Sequence, residues 1–259
     1  MKTALIGYTG FVGSSLANQY KFSDLYNSKN IENIVGKSYD LVVSAGTYAL
    51  RWKANQEPLE DWKAIKRLLD CLKKVSVKHF ILISTIDVYP QKDGVDEDTK
   101  IKLKDHSEAY GRNRFKMEQF IKRKFTSHTI IRCPQIYGPG VKKGFIYDLI
   151  YDNALDFTHK DTLLQFYWAP NFKKDIEIAR KSNISLINFA VEPTTAYEVA
   201  KSGRGMNFKT VTEKPPMKFD MQTKYSSLYG KKGRYIYGKK ETLKQLKDFI
   251  QKERKKLKK

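Results

Sequence analysis

Gly7, Gly10 and Gly13 stand three residues apart in the segment Gly7-Tyr8-Thr9-Gly10-Phe11-Val12-Gly13. Thr3–Ile6 before it reads as a strand, and Phe11–Tyr20 reads as a helix that starts inside it. That context gives the spacing a chemical meaning. One glycine permits a tight turn, one lets the backbone approach a pyrophosphate, and one lets the helix pack on the strand. The phosphate charge then faces free N–H groups and the positive end of the helix dipole. The loop is therefore a candidate dinucleotide cradle, with Gly7, Thr9, Gly10, Phe11, Val12 and Gly13 as its contacts. A plain strand–helix turn is the alternative for a glycine triplet taken alone.

The second half of such a cradle is ordinarily an acid at the end of the next strand, which holds the adenosine ribose. That strand reads as Phe22–Tyr26, and Asn27-Ser28-Lys29 follow it. Asp24 lies within the strand and Glu32 beyond it. The ribose position, Asn27 to Lys29, is thus neutral or basic. This leans towards NADP over NAD, with Lys29 near the 2′-phosphate; a solvated loop lysine accounts for Lys29 equally well.

Other chemistries find no support. The two cysteines, Cys71 and Cys133, are too far apart in sequence to suggest a metal or disulfide framework. His79, His106, His128 and His159 show no ligand spacing, so no metal site is expected. The amino terminus meets Gly7 before a signal-peptide core could form, and no apolar run is long enough to span a bilayer. A cytoplasmic protein with reduced thiols is expected. The net charge is +21. Residues 231–259 hold thirteen Lys and Arg against three acids, about half of that excess. No nucleic-acid-binding motif accompanies the charge, so a solvated basic surface is expected rather than a specific nucleic-acid site.

The elements that must position the loop alternate. Asp40–Ala45 and His79–Ser84 are continuous apolar runs, and Thr129–Arg132 is a further strand ended by Pro134. Between them, Leu59–Val75 carries Leu59, Trp62, Ile65, Leu68, Leu69 and Leu72 on one helix face, and Ser107–Phe125 forms another helix. Strands apolar on both faces, alternating with helices, predict an α/β fold with a doubly wound, Rossmann-like parallel sheet. Residues 1–140 form this core. Residues 141–259 form a small substrate-side lobe, with helices over Phe145–Tyr151 and Lys174–Arg180. A strand–helix segment returns at about 184–201, its helix capped by Thr194 or Thr195. Residues 213–227 read as loop. A basic helix, Glu241–Lys258, with Leu243, Leu246, Ile250 and Leu257 on one face, packs on the domain and ends the chain.

Three further segments occur in order behind the glycine loop. Ser84-Thr85-Ile86-Asp87-Val88-Tyr89 follows a strand, Tyr110-Gly111-Arg112-Asn113-Arg114 lies in a helix, and Ile131-Arg132-Cys133-Pro134-Gln135-Ile136-Tyr137-Gly138-Pro139-Gly140 follows the next strand. With the glycine loop, they resemble the extended short-chain dehydrogenase/reductases, which include nucleotide-sugar epimerases, dehydratases and reductases. The resemblance spans residues 1–140 and is fainter through 165–175 and 188–200. It implies that Thr85 supplies the substrate-binding hydroxyl and that Tyr110 is the tyrosine of the Y-x-x-x-K motif. It further implies that Ala45 and Gly46, with Ser84, line the cofactor, and that Pro134 lines its nicotinamide end.

Hydride transfer at a carbon bearing oxygen needs a proton moved on that oxygen. A tyrosine serves best when a cation one helical turn away lowers its pKa. Here that cation is Arg114 rather than lysine, and the two are not interchangeable at a tight site. The resemblance implies an NAD(P)-dependent epimerase or reductase of nucleotide sugars. A dehydratase is disfavoured because Ile86 stands where those enzymes place the first acid after the threonine. Asp87 reads more simply as a turn cap. The alternative is a non-catalytic NAD(P)-binding sensor or scaffold. Partners expected are a nucleotide sugar or related small molecule and a second copy of the chain, by analogy with family dimers.

Overall fold

The structure is a computed structural model that describes residues 1–258. The chain divides into two compact units. The first comprises residues 1–91, 98–133 and 170–188, and the second residues 92–97, 134–169 and 189–259.

The first unit is built on one six-stranded parallel sheet: β1 (Thr3–Ile6), β2 (Asp24–Tyr26), β3 (Ser38–Ser44), β4 (Ser76–Thr85), β5 (His128–Cys133) and β6 (Leu186–Asn188). Their spatial order is β6-β5-β4-β3-β1-β2, and every pairing is parallel. Parallel neighbours need crossovers, and the helices α1 (Phe11–Ala17), α2 (Arg51–Gln56), α3 (Pro58–Leu72), α4 (Ala109–Lys124) and α5 (Phe172–Lys181) lie in them. Both sheet faces are buried. Ala4, Val42, Phe80 and Ile130 join Ile65, Leu68 and Leu72 of α3 and Met117 and Ile121 of α4 in one core. Leu5, Val43, Ile81 and Ile131, which alternate with them, are buried on the opposite face. Helix α1 contacts β1, and α5 is tied to the segment after α1: Gln19 Oε1 accepts from the Lys173 N–H at 2.9 Å and Tyr20 donates to the Lys173 carbonyl at 3.1 Å.

This is the Rossmann-like α/β sheet that the alternation predicts. Two boundaries differ from the sequence reading. The first unit's amino-terminal part stops at Cys133 rather than near residue 140, and residues 170–188 also belong to this unit, because β6 pairs in register on β5. Between β2 and β3 there is only a single-turn 3₁₀ segment, Ile31–Ile34, so the crossover there is short.

In the second unit, helices 145–151, 196–204 and 239–257 enclose a core that includes Phe145, Ile146, Leu149, Val199, Leu246, Phe249 and Ile250. Thr195 rather than Thr194 caps the helix Ala196–Arg204, with Glu198 completing a reciprocal capping box. The terminal helix runs Lys239–Leu257 and buries Phe249 in the core, whereas Leu257 is exposed. Residues 213–227 are mostly irregular but contribute the short strand Asp220–Met221.

Candidate active site and dinucleotide cleft

The sheet order reverses between β1 and β3, since β1 leads outward to β2 and the chain then returns to β3 on the other side. Loops leaving the two strands at such a point diverge and leave a crevice at the carboxyl ends. A cleft of about 210 Å³ lies there. Gly7, Thr9 and Gly10 form one wall, Asn27 and Ser28 another, and Ala45 and Gly46 a third. The structure thus brings seven of the sequence-predicted positions together.

The three glycines divide their work. Gly7 has φ +87°, and a Cβ there would stand 2.6 Å from the Ala45 carbonyl oxygen, so the two loops meet backbone to backbone. A Cβ on Gly13 would sit 1.9 Å from the Gly7 carbonyl oxygen, which leaves no side chain possible where α1 crosses the loop. Gly10 has an ordinary φ and only an ordinary contact at its Cβ position; it lines the cleft and caps α1 without a side chain. Phe11, Val12 and Gly13 form the first turn of α1 and do not line the cleft.

At the far end, the Asn27 carboxamide accepts from the Lys29 N–H at 2.8 Å, and Asn30 accepts from the Asn27 N–H at 2.7 Å. Lys29 is exposed and outside the cleft lining. Arg67 of α3 lines it instead, and is ion-paired with Glu32. Asp24 is withdrawn, accepting from the Tyr39 hydroxyl at 2.5 Å. Arg67 carries no sequence signal except its place on the polar side of α3.

The second group of residues gathers where β4 ends. Thr85 Oγ1 accepts from the Asp87 N–H and donates to Asp87 Oδ2, both at 3.1 Å, capping a 3₁₀ turn over Ile86–Val88. Helix α4 rests on this turn: a Cβ on Gly111 would be 1.9 Å from the Asp87 carbonyl oxygen. Tyr110, beside Gly111, is therefore carried next to the Thr85 turn. Its N–H donates to Asn55 at 2.9 Å, and Arg51 forks onto Glu108 at 2.7 Å twice while reaching Asp87 at 3.7 Å. Both braces come from α2, which has no apolar period and is absent from the sequence reading.

Ser84 lies outside the cleft lining, and its hydroxyl donates to the buried Glu118 at 2.6 Å. Glu118 is also gripped by Arg132 at 2.7 and 3.1 Å. Pro134 opens the second unit.

Arg114 stands one turn after Tyr110, as its spacing requires, and its guanidinium lies 3.8 Å from the Tyr110 ring centroid. Like Tyr110 and Thr85, it does not line the cleft. Its two terminal nitrogens fork onto Asp61 of α3, at 2.6 and 2.8 Å, and also donate to the Tyr48 carbonyl at 2.6 Å and the Tyr110 carbonyl at 3.3 Å. Both side chains of the pair are about 5% exposed. The consequence for Tyr110 differs from the sequence expectation of a lowered pKa. Burial pushes the phenol up, and the pull of Arg114 in the other direction does not overcome it; Asp87 and Asp61 add to the rise. The loss of water around a phenol this deeply buried outweighs the pull of the cation beside it.

The sequence profile of the NAD dependent epimerase/dehydratase family matches residues 4–165. The chain belongs to that family. No curated protein sequence matches it significantly. Among solved structures, the fold is similar to the UDP-glucose 4-epimerase of Thermotoga maritima with UDP-glucose, at 17% identity and TM-score 0.73, covering 99% of this chain and 100% of that one. It is similar to a UDP-galactose 4-epimerase at 15% identity and TM-score 0.75, covering 99% and 100%. It is also similar to the dTDP-4-dehydrorhamnose reductase of Bacillus anthracis in complex with NADP, at 15% identity and TM-score 0.73, covering 97% and 99%. At these identities the likeness is one of fold. No helix among the described residues of this family member is long and apolar enough to cross a membrane, and no group of three or more potential metal ligands occurs among them.

Proposed function

We infer that this family member binds NAD(P) in the cleft and uses Tyr110 and Thr85 to reduce or epimerise a nucleotide sugar. The observation that carries the reading is the cradle itself. Gly7 and Gly13 occupy positions that admit no Cβ, whereas Gly10 is left open towards the cleft. Gly7, Thr9 and Gly10 would hold the pyrophosphate, and Asn27 and Ser28 the adenosine side. The bound dinucleotide supplies or accepts hydride. The chain's own part is the proton. With its pKa raised by burial, Tyr110 is held as a phenol, so it donates to a carbonyl oxygen more readily than it abstracts from a hydroxyl. Thr85 would orient the same oxygen from the neighbouring turn.

Cofactor choice follows from charge. Arg67 is the cation on the cleft wall; its ion-pair partner Glu32 lies outside the cleft lining, in an adjoining surface groove that Arg67 also borders. NADP should bind at least as well as NAD, with Arg67 rather than Lys29 near the extra phosphate.

The second reading, a dinucleotide sensor without turnover, has one observation in its favour: the motif's cation is committed to Asp61. Calorimetry with NAD(H) and NADP(H), followed by turnover on a panel of nucleotide sugars, separates them. Binding with Tyr110-dependent turnover supports the enzyme. Binding without turnover on any substrate supports the sensor, and no dinucleotide binding removes both.

A further inference from the structure

We propose that Asp61, carried in front of Arg114, is the residue of this chain that accepts the hydroxyls of the cofactor's second ribose. This rests on the reading that the cleft holds a dinucleotide. Arg114 is then a positioning residue, fixing the Asp61 carboxylate without touching the ligand.

Three observations converge. First, of the two paired side chains only Asp61 lines the cleft. Arg114 lies behind it, stacked on Tyr110 and bonded to the Tyr48 carbonyl. Second, Asp61 has acceptor capacity left. A carboxylate offers about four acceptor sites. Two are filled by Arg114 and one by the Asn113 carboxamide at 2.9 Å, which leaves one on a side chain otherwise enclosed. Third, the place is right. Asn27 and Ser28 mark the adenosine end, and Asp61 is tied through Arg114 to the Tyr110 carbonyl, so it stands towards the reacting end.

The chemistry also fits. A carboxylate accepting ribose hydroxyls is how such cradles hold the adenosine ribose. A lone carboxylate close to a diphosphate would be repelled by it. Paired with a guanidinium that is also buried, it is neutral as a unit and keeps only its directed acceptors. The arrangement thus exchanges a direct donor for an acceptor held by a donor.

The test compares ADP with ADP-ribose, which differ by the second ribose and so isolate it. Both are titrated calorimetrically into the full chain and into Asp61→Asn. The wild type should bind ADP-ribose about tenfold or more tighter than ADP. Asp61→Asn should keep its ADP affinity and lose that advantage, to within about twofold. Asn can leave Arg114 buried without a counter-charge and so unfold the chain. The double variant Asp61→Leu with Arg114→Met removes both charges together, a change that buried pairs often tolerate; it too should bind ADP and lose the ribose advantage. An unchanged ADP-ribose to ADP ratio in either folded variant overturns the proposal, as does a wild type that binds the two equally. A wild type that binds neither ADP nor NAD(H) overturns the dinucleotide reading itself, a result distinct from the others.

Discussion

Replacing Arg114 with lysine restores the family's usual tyrosine–lysine pair, and the structure predicts that this harms the protein. Arg114 donates four hydrogen bonds, two to Asp61 and one each to the Tyr48 and Tyr110 carbonyls, from a site about 3% exposed. An ammonium has no fork and cannot stack on the Tyr110 ring. It can keep its charge beside Asp61, which spares the chain the roughly 3–5 kcal/mol of an unpaired buried carboxylate. The ammonium has three donors for four bonds and one nitrogen where the guanidinium uses two, so about two charge-assisted hydrogen bonds are still lost, each worth roughly 1.5–3 kcal/mol. A net destabilisation of about 3 kcal/mol follows. At about 2–4 °C per kcal/mol for a chain of this size, the melting temperature should fall by roughly 6–12 °C. Scanning calorimetry measures this, with turnover measured in parallel below the transition. Turnover should fall, because the guanidinium is part of the structure that seats Tyr110. Melting within about 2 °C of the wild type, or turnover that rises, would refute the reasoning and mark Arg114 as a dispensable departure from the lysine pattern.

The glycines should separate binding from folding. Gly13→Ala puts a methyl 1.9 Å from a backbone oxygen and should destabilise the fold, seen as a lower denaturation midpoint. Gly10→Val should keep the fold but abolish dinucleotide binding in calorimetry, since a Cβ there meets only an ordinary contact and Gly10 lines the cleft. Tyr110→Phe should keep cofactor affinity and lower turnover by about 10²-fold or more. Because burial raises the Tyr110 pKa, a reduction that takes its proton from Tyr110, as proposed, should not decline until pH passes above the ordinary tyrosine range, when the phenol loses that proton; a decline near neutrality would exclude Tyr110 as the acid. Arg67→Ala should weaken NADP more than NAD, and equal losses would show that Arg67 does not reach the 2′-phosphate. The lysines of the terminal helix should give only weak, salt-sensitive binding to polyanions, and binding that survives moderate salt would contradict a purely electrostatic surface.

The sheet was readable because its strands are apolar on both faces and the helices between them keep one periodic stripe. Ile65, Leu68, Leu69 and Leu72 lie in the core as the stripe of α3 requires, but Leu59 at its start is 80% exposed. Periodicity marks a face and does not reveal where the sheet beneath it ends. The helix Arg51–Gln56 was illegible for the opposite reason. Its sequence, RWKANQ, has no stripe, and tertiary bonds from Arg51 and Asn55 hold it in place. The pairing of Leu186–Asn188 on His128–Cys133 joins strands more than fifty residues apart and cannot be read from local pattern.

The site divides along the same line. The glycines were legible because their spacing falls in one strand-to-helix turn; the structure gives Gly7 and Gly13 a steric reason and leaves Gly10 on the cleft wall without one. Tyr110 and Arg114 were legible as a pair because four residues along a helix share a face. What Arg114 does with its charge was not, because its partner sits 53 residues earlier on another helix. Asp61 stands in α3 between Leu59 and Trp62, where any acid reads as a solvated helix residue. Only the packing of α3 against α4 turns it inward. The arginine that looks from the sequence like a weakened catalytic motif is, in the fold, one half of a buried ion pair. A guanidinium in so enclosed a site needs a buried acceptor, and Asp61, which supplies it, stands on the cleft wall.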